Sequence, residues 1–348
     1  MRVLIIGAGP VGLWVGANLI RAGHAVGFVG RPRVTEALRT AGLAVETPGG
    51  NWHVATPAVY DSASDAFAFG SSDLICITTK AYDLAVALDE IAAAQLIPVG
   101  SGAVVAAFQN GVGAEELVAA RFGVTRAIAA TTTTPVSLIG PARLRVDRAG
   151  GGIAWAALDP AATGPRKCIA ELVATGCGVQ VADARALKWS KLLLNLAGNA
   201  SGAILDLPPE RLFADAQLFG FEMAMLREAV RVMDAAGIQA VSLPGAPAAS
   251  LAWALRWLPD VALKVVLRRR LSAARGDKRP SLYYDLANAT GRSEVSWLNG
   301  AVVAAGARLG IPTPVNERLD SVLNALVSGG AAWSDWKGEI AKLTGRGG

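Results

Sequence analysis

The chain has 348 residues, a length that favours two domains over one. Its 52% of hydrophobic residues can bury large cores, but no apolar run reaches the about 18 residues that a membrane-spanning helix needs. The net charge of +5 is local, because residues 256–279 hold eight Lys or Arg against two Asp. It therefore gives no reason to expect nucleic-acid binding by the whole protein.

The N-terminus has the pattern of a strand, a glycine-rich turn, a helix and a second strand. Residues 2–6 are apolar, Gly7-Ala8-Gly9-Pro10-Val11-Gly12 follows, and a helical pattern extends to about Ala22 before a second apolar run, residues 25–29. This order opens a doubly wound α/β sheet. No signal-peptide pattern precedes it, and Cys76, Cys168 and Cys177 do not cluster like metal ligands. We expect a reduced cytoplasmic protein with buried thiols and no bound metal.

Further elements follow in chain order. The patterns predict a helix near residues 35–40, less regular structure around 43–59, strands over 73–78 and 103–108, helices over 81–94 and 114–122, and short strands over 125–158 that complete the sheet. From residue 184 the patterns are helical, with predicted helices over 184–205, 216–236, 282–289, 294–309 and 314–326, and a loop over 243–249. Ser293 is the expected N-cap of the helix that begins at Glu294. The chain is thus predicted to divide into a Rossmann-type α/β domain, residues 1–183, and an all-α domain, residues 184–348.

The glycine-rich turn predicts a dinucleotide site. Gly7 permits the turn, Gly9 lets the backbone approach a pyrophosphate, and Gly12 allows the helix to pack closely on the strand. The second strand ends at Arg31 with no Asp or Glu to accept ribose hydroxyls, which disfavours FAD and NAD. Arg31 suits a 2′-phosphate, and Arg33 could share or take over that contact. NADPH is the predicted cofactor; the alternative for Arg31 is an ordinary surface arginine.

A polar stripe is predicted in the segment WSKLLLNLAGN, residues 189–199. Lys191, Asn195 and Asn199 are four residues apart, so on a helix they lie on one face. Such a stripe is either the solvent side of an amphipathic helix or part of a site, and the pattern alone does not decide between the two.

Eight segments together indicate one family. They are GAGPVG, Gly30-Arg31, Thr79-Lys80-Ala81, Gln109-Asn110-Gly111-Val112-Gly113, Leu138-Ile139-Gly140-Pro141, Trp189-x-Lys191-x-x-x-Asn195-x-x-x-Asn199, Arg279-Pro280-Ser281 and Glu294-Val295-x-Trp297-x-Asn299-Gly300. In this order they resemble the ketopantoate reductases (2-dehydropantoate 2-reductases) over nearly the whole chain. The resemblance implies a Rossmann domain that holds NADPH and an all-α domain like the C-terminal one of 6-phosphogluconate dehydrogenase, with the substrate in the cleft between them.

The resemblance also assigns roles to residues. The implied cofactor contacts are Gly7, Ala8, Gly9, Pro10, Val11, Gly12, Arg31, Lys80, Asn110 and Val136. The implied substrate contacts are Asn110, Lys191, Asn195, Asn199 and Ser281. The implied catalytic residues are Lys191 and Glu294.

The implied reaction is the reduction of 2-dehydropantoate to pantoate by NADPH. Neither His24 nor His53 is well placed to be the acid, so Lys191 is the candidate general acid, and Glu294 would orient Lys191 or a substrate hydroxyl. The expected partner is a small 2-oxo acid, with no nucleic acid and no membrane, and a homodimer is left open.

Two departures from the family pattern leave alternatives open. One extra residue separates Asp285 from Glu294, and residues of about 250–279 form an enlarged insertion that contains Trp253 and Trp257. The insertion suggests a 2-oxo or 2-hydroxy acid dehydrogenase for a bulkier substrate, while a non-catalytic NADPH sensor is a third hypothesis. The insertion itself is expected to be a solvated basic helix; a membrane or partner contact, or electrostatic steering of anionic substrates, are its alternatives.

Overall fold

A computed structural model describes residues 1–98, 100–265 and 279–345. The chain forms two compact units. The N-terminal unit comprises Met1–Gln109, Gly113–Lys188 and Leu243–Ala246, and the helical unit comprises Asn110–Val112, Trp189–Ser242 and Pro247–Gly348. The chain therefore passes from the first unit to the second inside a helix.

The N-terminal unit contains an eight-stranded sheet in its described residues, with the order β12-β11-β8-β7-β6-β1-β2-β5. The strands are β1 (Arg2–Ile6), β2 (Ala25–Val29), β5 (Ala58–Tyr60), β6 (Leu74–Ile77), β7 (Val104–Ala107), β8 (Ala127–Thr132), β11 (Ile153–Ala157) and β12 (Val179–Gln180). All neighbouring strands are parallel except β11, which runs antiparallel to β8. This confirms the predicted Rossmann-type sheet.

The central strands are apolar along their whole length because both faces of the sheet are covered. In β1, Val3 and Ile5 pack into one apolar cluster and Leu4 and Ile6 into another. The helices of this unit are α1 (Pro10–Arg21), α2 (Pro32–Ala41), α3 (Leu84–Ala93), α4 (Ala114–Phe122) and α5 (Thr163–Ala174). The parallel strands β1, β2, β6 and β7 end at one edge of the sheet, where the predicted cofactor residues begin.

Two predictions for this unit were wrong. Residues 43–59 are not irregular: β3 (Leu43–Glu46) and β4 (Trp52–Val54) join β9 (Val136–Gly140) and β10 (Arg143–Val146) in a second, four-stranded sheet. The strands of residues 125–158 consequently serve two sheets instead of completing one. The physical reason is the pairing of β3 with β10, which joins segments about a hundred residues apart.

The helical unit holds the remaining described helices. They are α6 (Ala184–Leu196, which begins in the N-terminal unit), α7 (Ala200–Leu205), α8 (Pro209–Ala214), α9 (Ala216–Ala235), α10 (Ala248–Trp257), α11 (described over residues 260–265), α12 (Ser281–Ala287), α13 (Val295–Leu309), α14 (Pro314–Val327) and α15 (Ile340–Thr344). Their inward faces form one apolar core. No helix among the described residues is long and apolar enough to span a membrane.

Several local features differ from prediction. The predicted helix over residues 184–205 is interrupted, because Gly198 takes a left-handed φ of +61° between α6 and α7. The predicted loop over 243–249 is shorter, since α10 begins at Ala248. Glu294, not Ser293, occupies the N-cap position of α13, although the Ser293 hydroxyl accepts a 3.2 Å hydrogen bond from the Val295 N–H.

The insertion at residues 250–279 lies only partly within the described chain. Leu251 and Leu255 of α10 are buried in the core of the helical unit. Trp253 and Trp257, on the same helix, are 56% and 70% exposed. Residues 266–278, which hold most of its basic side chains, lie outside the described residues.

Candidate active site

The glycine-rich turn directly follows β1 in the N-terminal unit. The N–H groups of Gly7 and Ala8 donate to the Val29 carbonyl at 2.9 and 3.1 Å, which ties the turn to the end of β2. Gly7 has a φ of +109°, and a Cβ there would lie 2.9 Å from the Thr79 nitrogen. Only glycine tolerates both conditions.

The other two glycines of the turn differ in the space around them: Gly12 is crowded and Gly9 is open. A Cβ at Gly12 would lie 2.1 Å from the Gly7 carbonyl oxygen, so this position requires glycine for close packing of α1 on the turn. A Cβ at Gly9 would meet nothing within 4 Å. The backbone at Gly9 is therefore open to a ligand, and Pro10 begins α1 without needing an N–H partner.

The end of β2 carries the predicted 2′-phosphate contact. Arg31 occupies the N-cap position of α2 and is exposed, as is Arg33. A Cβ at Gly30 would lie 2.6 Å from the Cβ of Ala8, so Gly30 lets the start of α2 approach the glycine-rich turn.

An acid that the sequence reading did not single out lies close to this segment. Asp61 follows β5, and the Gly30 N–H donates to the carbonyl of the preceding Tyr60 at 3.2 Å. The Asp61 carboxylate accepts hydrogen bonds from the Thr35 hydroxyl and, at 2.8 Å, from Arg39. The Thr35 hydrogen bond, followed by that from Arg39, lowers the pKa of Asp61. Asp61 lies near the start of α2 because β5 pairs with β2, and no local sequence motif indicates that pairing.

The ends of β6 and β7 complete the predicted cofactor set in this unit. The Thr78 hydroxyl donates to the Gly7 carbonyl at 2.7 Å, and the Gln109 amide donates to the Ile77 and Thr79 carbonyls at 3.1 Å each. Lys80, partly exposed, is the N-cap of the short 3-10 turn that precedes α3. Val136, partly exposed, is the first residue of β9.

Lys188 is a buried cation that the sequence reading missed. Its side chain is 1% exposed, its ammonium donates to the Gln109 carbonyl at 2.6 Å, and the Glu115 carboxylate lies 3.4 Å away. A buried ammonium needs such partners. It also fixes the peptide that leads into Asn110. Lys188 lies three residues before Lys191 on α6, so a polar stripe extended by one turn would have found it.

In the helical unit, Lys191 and Asn195 lie on α6 as predicted. Both are partly exposed, whereas Leu192, Leu193 and Leu196 are buried in the core. The Asn195 amide donates to the Asn110 side-chain oxygen at 3.0 Å. Two of the predicted substrate residues are thus held side by side.

Asn199 does not continue the stripe on α6, because it follows the break at Gly198 and occupies the N-cap position of α7. It is 4% exposed. Its Nδ2 donates to the Ser281 hydroxyl at 3.2 Å, and its Oδ1 accepts from the Leu282 N–H, also at 3.2 Å. Asn199 therefore holds the first turn of α12, while Ser281 itself is exposed.

Glu294 is buried at the start of α13, 3% exposed, and its backbone N–H donates to the Asp285 carboxylate at 3.4 Å. The nearby Trp297 carbonyl accepts from the Val112 N–H at 3.3 Å. This bond ties the segment after Asn110 to the same helix. The orientation of Lys191 by Glu294 stays a prediction.

Comparison with known proteins decides the family. The family model described as ketopantoate reductase PanE/ApbA matches residues 3–160, and the model described as ketopantoate reductase PanE/ApbA C terminal matches residues 183–327. The chain belongs to the ketopantoate reductase family. The predicted resemblance is confirmed.

Individual relatives of the ketopantoate reductase family agree. The 2-dehydropantoate 2-reductase of Archaeoglobus fulgidus is 30% identical over 332 residues, which cover 94% of this chain and 98% of the relative. The crystal structure of a PanE/ApbA family ketopantoate reductase from Ralstonia eutropha JMP134 is 26% identical with a TM-score of 0.75, covering 94% of this chain and 99% of the other.

One further structure is similar in fold. The ternary structure of D-mandelate dehydrogenase with NADH and anilino(oxo)acetate has a TM-score of 0.76 at 20% identity and covers 94% of this chain and 99% of the other.

Ketopantoate reductase membership makes this chain an NAD(P)-dependent oxidoreductase of a family that acts on small 2-oxo acids. The geometry of the glycine-rich turn fits a dinucleotide, since a Cβ at Gly7 or Gly12 would lie within 3 Å of backbone atoms and a Cβ at Gly9 would meet nothing within 4 Å. The predicted cofactor residues, apart from Asn110, lie in the N-terminal unit. All the predicted substrate and catalytic residues lie in the helical unit.

Proposed function

We propose that this protein reduces 2-dehydropantoate to pantoate with NADPH. The observation that carries the proposal is the polar side of α6 in the helical unit, where Lys191 and Asn195 remain partly exposed and Asn195 holds Asn110. On the same helix Leu192, Leu193 and Leu196 are buried in the core, so the lysine and the amide lie on a polar side that remains accessible to a substrate.

NADPH, when bound, supplies the hydride. The residues that would hold it are the glycine-rich turn, with its open backbone at Gly9, and Arg31 at the start of α2, whose guanidinium suits a 2′-phosphate. Asp61 does not argue for a ribose contact, because its carboxylate is already engaged by Thr35 and Arg39.

Lys191 is proposed as the general acid. As the carbonyl carbon of the 2-oxo acid accepts the hydride, the electron pair of the C=O bond moves to oxygen, and the Lys191 ammonium donates its proton there. The same ammonium stabilises the developing oxyanion beforehand. The lysine regains a proton from solvent after each turnover.

The neutral polar side chains are assigned to substrate binding. Asn195 and Ser281 are proposed to hold the carboxylate and hydroxyl groups of the substrate, while Asn199 places Ser281 by its 3.2 Å hydrogen bond. Glu294, at the start of α13, is proposed to orient Lys191 or a substrate hydroxyl.

A second candidate is the reduction of a bulkier 2-oxo acid with NADH or NADPH. It is favoured by the similarity in fold to D-mandelate dehydrogenase, whose structure contains NADH and anilino(oxo)acetate. The tryptophans that first suggested it, Trp253 and Trp257, give it little support, because both are largely exposed on α10.

The test is kcat/KM for 2-dehydropantoate, benzoylformate and unbranched 2-oxo acids, each measured with NADPH and with NADH. We expect 2-dehydropantoate with NADPH to be the best pair by at least about tenfold, a difference of about 1.4 kcal/mol in transition-state binding. A higher value with benzoylformate selects the second candidate. NADPH binding without oxidation by any of these acids indicates a sensor.

A further inference from the structure

A fully buried carboxylate lies beside the break between α6 and α7. Glu222, on α9 of the helical unit, is 0% exposed. One of its oxygens accepts from the Gly198 N–H at 2.7 Å, and the other accepts from the Ser201 hydroxyl. Burying a carboxylate is costly, and these two donors offset part of that cost.

The two donors flank Asn199 in the sequence. Gly198 supplies the left-handed turn that ends α6, and Ser201 lies in the first turn of α7. Glu222 therefore holds the chain on both sides of Asn199, through the backbone N–H of Gly198 and the side chain of Ser201. Without this carboxylate, the Gly198 N–H and the Ser201 hydroxyl would lose the acceptor that keeps this conformation.

Asn199 in turn determines the position of Ser281. Its amide donates to the Ser281 hydroxyl and accepts from the Leu282 N–H, and it is itself buried. A shift of the Asn199 backbone would thus pass directly to the first turn of α12, which carries the exposed Ser281.

We propose that Glu222 is a positioning residue for substrate binding, acting through Asn199 on Ser281. This inference rests on the proposed function, because it assigns Ser281 to the 2-oxo acid. Glu222 does not contact the substrate. Its carboxylate fixes the helix break that directs Asn199 away from α6 and toward α12.

The test compares Glu222→Ala with the conservative Glu222→Gln and with Ser201→Ala. Glu222→Ala removes both acceptor atoms, and we expect KM for the 2-oxo acid to rise about tenfold or more, with NADPH affinity unchanged. Glu222→Gln keeps an acceptor for Gly198 and should restore KM to within about threefold of wild type. Ser201→Ala loses one hydrogen bond, so its KM for the 2-oxo acid should lie between those of Glu222→Ala and Glu222→Gln.

The matched control is Leu226→Ala. Leu226 lies one turn further along α9, is 0% exposed and contributes to the core through an apolar side chain that cannot accept the two hydrogen bonds of Glu222. It should lower the midpoint of thermal unfolding yet leave KM unchanged. If Glu222→Ala lowers that midpoint but its KM stays within about twofold of wild type, Glu222 is merely structural and the inference is wrong. If wild type oxidises NADPH with none of the acids, the proposed function fails first and the inference with it.

Discussion

The proposed chemistry depends at the residue scale on one lysine. Lys191 is partly exposed on a helix whose Leu192 and Leu193 are buried, and the chain contains only two histidines, His24 and His53, as alternative acids. His24 is buried between the N-terminus and Thr175 in the N-terminal unit, and burial lowers its pKa. Its position gives it a structural role.

Replacing Lys191 with alanine should therefore remove the proton donor. We expect kcat to fall about a hundred- to ten-thousandfold, the contribution typical of a positioned general acid, while NADPH still binds with wild-type affinity. Steady-state kinetics and fluorescence titration of NADPH measure the two effects. Lys167→Ala, at an exposed lysine of α5, is the control and should be neutral. A Lys191→Ala variant with near-normal kcat would rule out the assignment.

Arg31 is the residue on which the NADPH preference rests. Charge-assisted hydrogen bonds contribute about 1.5–3 kcal/mol, so Arg31→Ala should raise KM for NADPH by roughly ten- to a hundredfold and leave KM for NADH unchanged. Arg33→Ala is the matched comparison, because Arg33 is also exposed two residues further on. A larger effect from Arg33 would transfer the contact to that residue, and no effect from either would remove the argument for a 2′-phosphate.

Single residues were predictable where local geometry decides their identity. Gly7, Gly9 and Gly12 have the environments that the motif predicts, because their requirements arise within one turn of the chain. The partners of Asp61 and Lys188 were not predictable in the same way. Each is brought to its partners by contacts between distant segments, Asp61 through β5 and Lys188 through the end of β7.

At the scale of elements, the break after α6 shows why a sequence pattern can predict a helix that is longer than the observed one. Ala, Leu and Asn continue through residues 195–205, and a single glycine inside a helix costs only about 1 kcal/mol, so the pattern predicts one helix. Glu222, from a helix further along the chain, binds the Gly198 N–H and stabilises the break. A tertiary hydrogen bond therefore overrides a weak local preference.

The second sheet was not predicted from the sequence for a similar reason. Both β3 and β10 alternate buried and more exposed residues, as half-buried strands do, but each is only four residues long. Strands this short are recognisable only beside their partners. The longer apolar strands β1 and β8 and the long helices α9, α13 and α14 were predictable, because their hydrophobic periodicity is sustained.

The packing of α13 on α14 leads to a prediction about pH. Asp320 of α14 lies against Gly300, where an added Cβ would be 3.0 Å from its Oδ1, and accepts from Asn324 at 3.0 Å and Ser296 at 3.3 Å. Burial raises the pKa of Asp320 despite these hydrogen bonds. The raised pKa means that protonated Asp320 favours the folded state. This contribution is fully present below the pKa of the unfolded chain and is lost as pH rises through the folded pKa.

Asp320→Asn should therefore stabilise the protein at neutral pH. The amide keeps an oxygen acceptor for Ser296 and Asn324 but carries no charge to desolvate. We expect a gain of less than about 1 kcal/mol in unfolding free energy at pH 7, because the side chain is only partly buried, and no gain below about pH 3. Urea unfolding at both pH values measures it, with Asp65→Asn, an exposed aspartate, as control. A gain that is equal at both pH values would contradict the assignment to charge burial.

At the scale of the whole molecule, the two sets of predicted residues have different surroundings. The cofactor set depends on the edge of a parallel sheet, where backbone N–H groups and glycines leave room for phosphates. The substrate set depends on side chains along α6, α7 and α12. Both proposed ligands are anions. The chain carries a net charge of +5, and residues 256–279 alone carry +6, so the rest of the chain is slightly negative.

This charge distribution predicts that substrate capture depends on salt. A field of positive sign raises the association rate of anions and is screened beyond about 10 Å at 0.1 M salt. We expect kcat/KM for the 2-oxo acid to fall several-fold between about 20 and 200 mM salt while kcat stays constant.

Two double variants separate the segment from the net charge. Each reduces the net charge from +5 to +3. The first is Arg268→Gln/Arg269→Gln, in the basic segment, and the second is Arg166→Gln/Lys167→Gln, on α5 of the N-terminal unit. If the basic segment steers the substrate, only the first variant should flatten the salt dependence of kcat/KM. Equal flattening in both would assign the effect to net charge alone. An unchanged slope in both would exclude electrostatic steering.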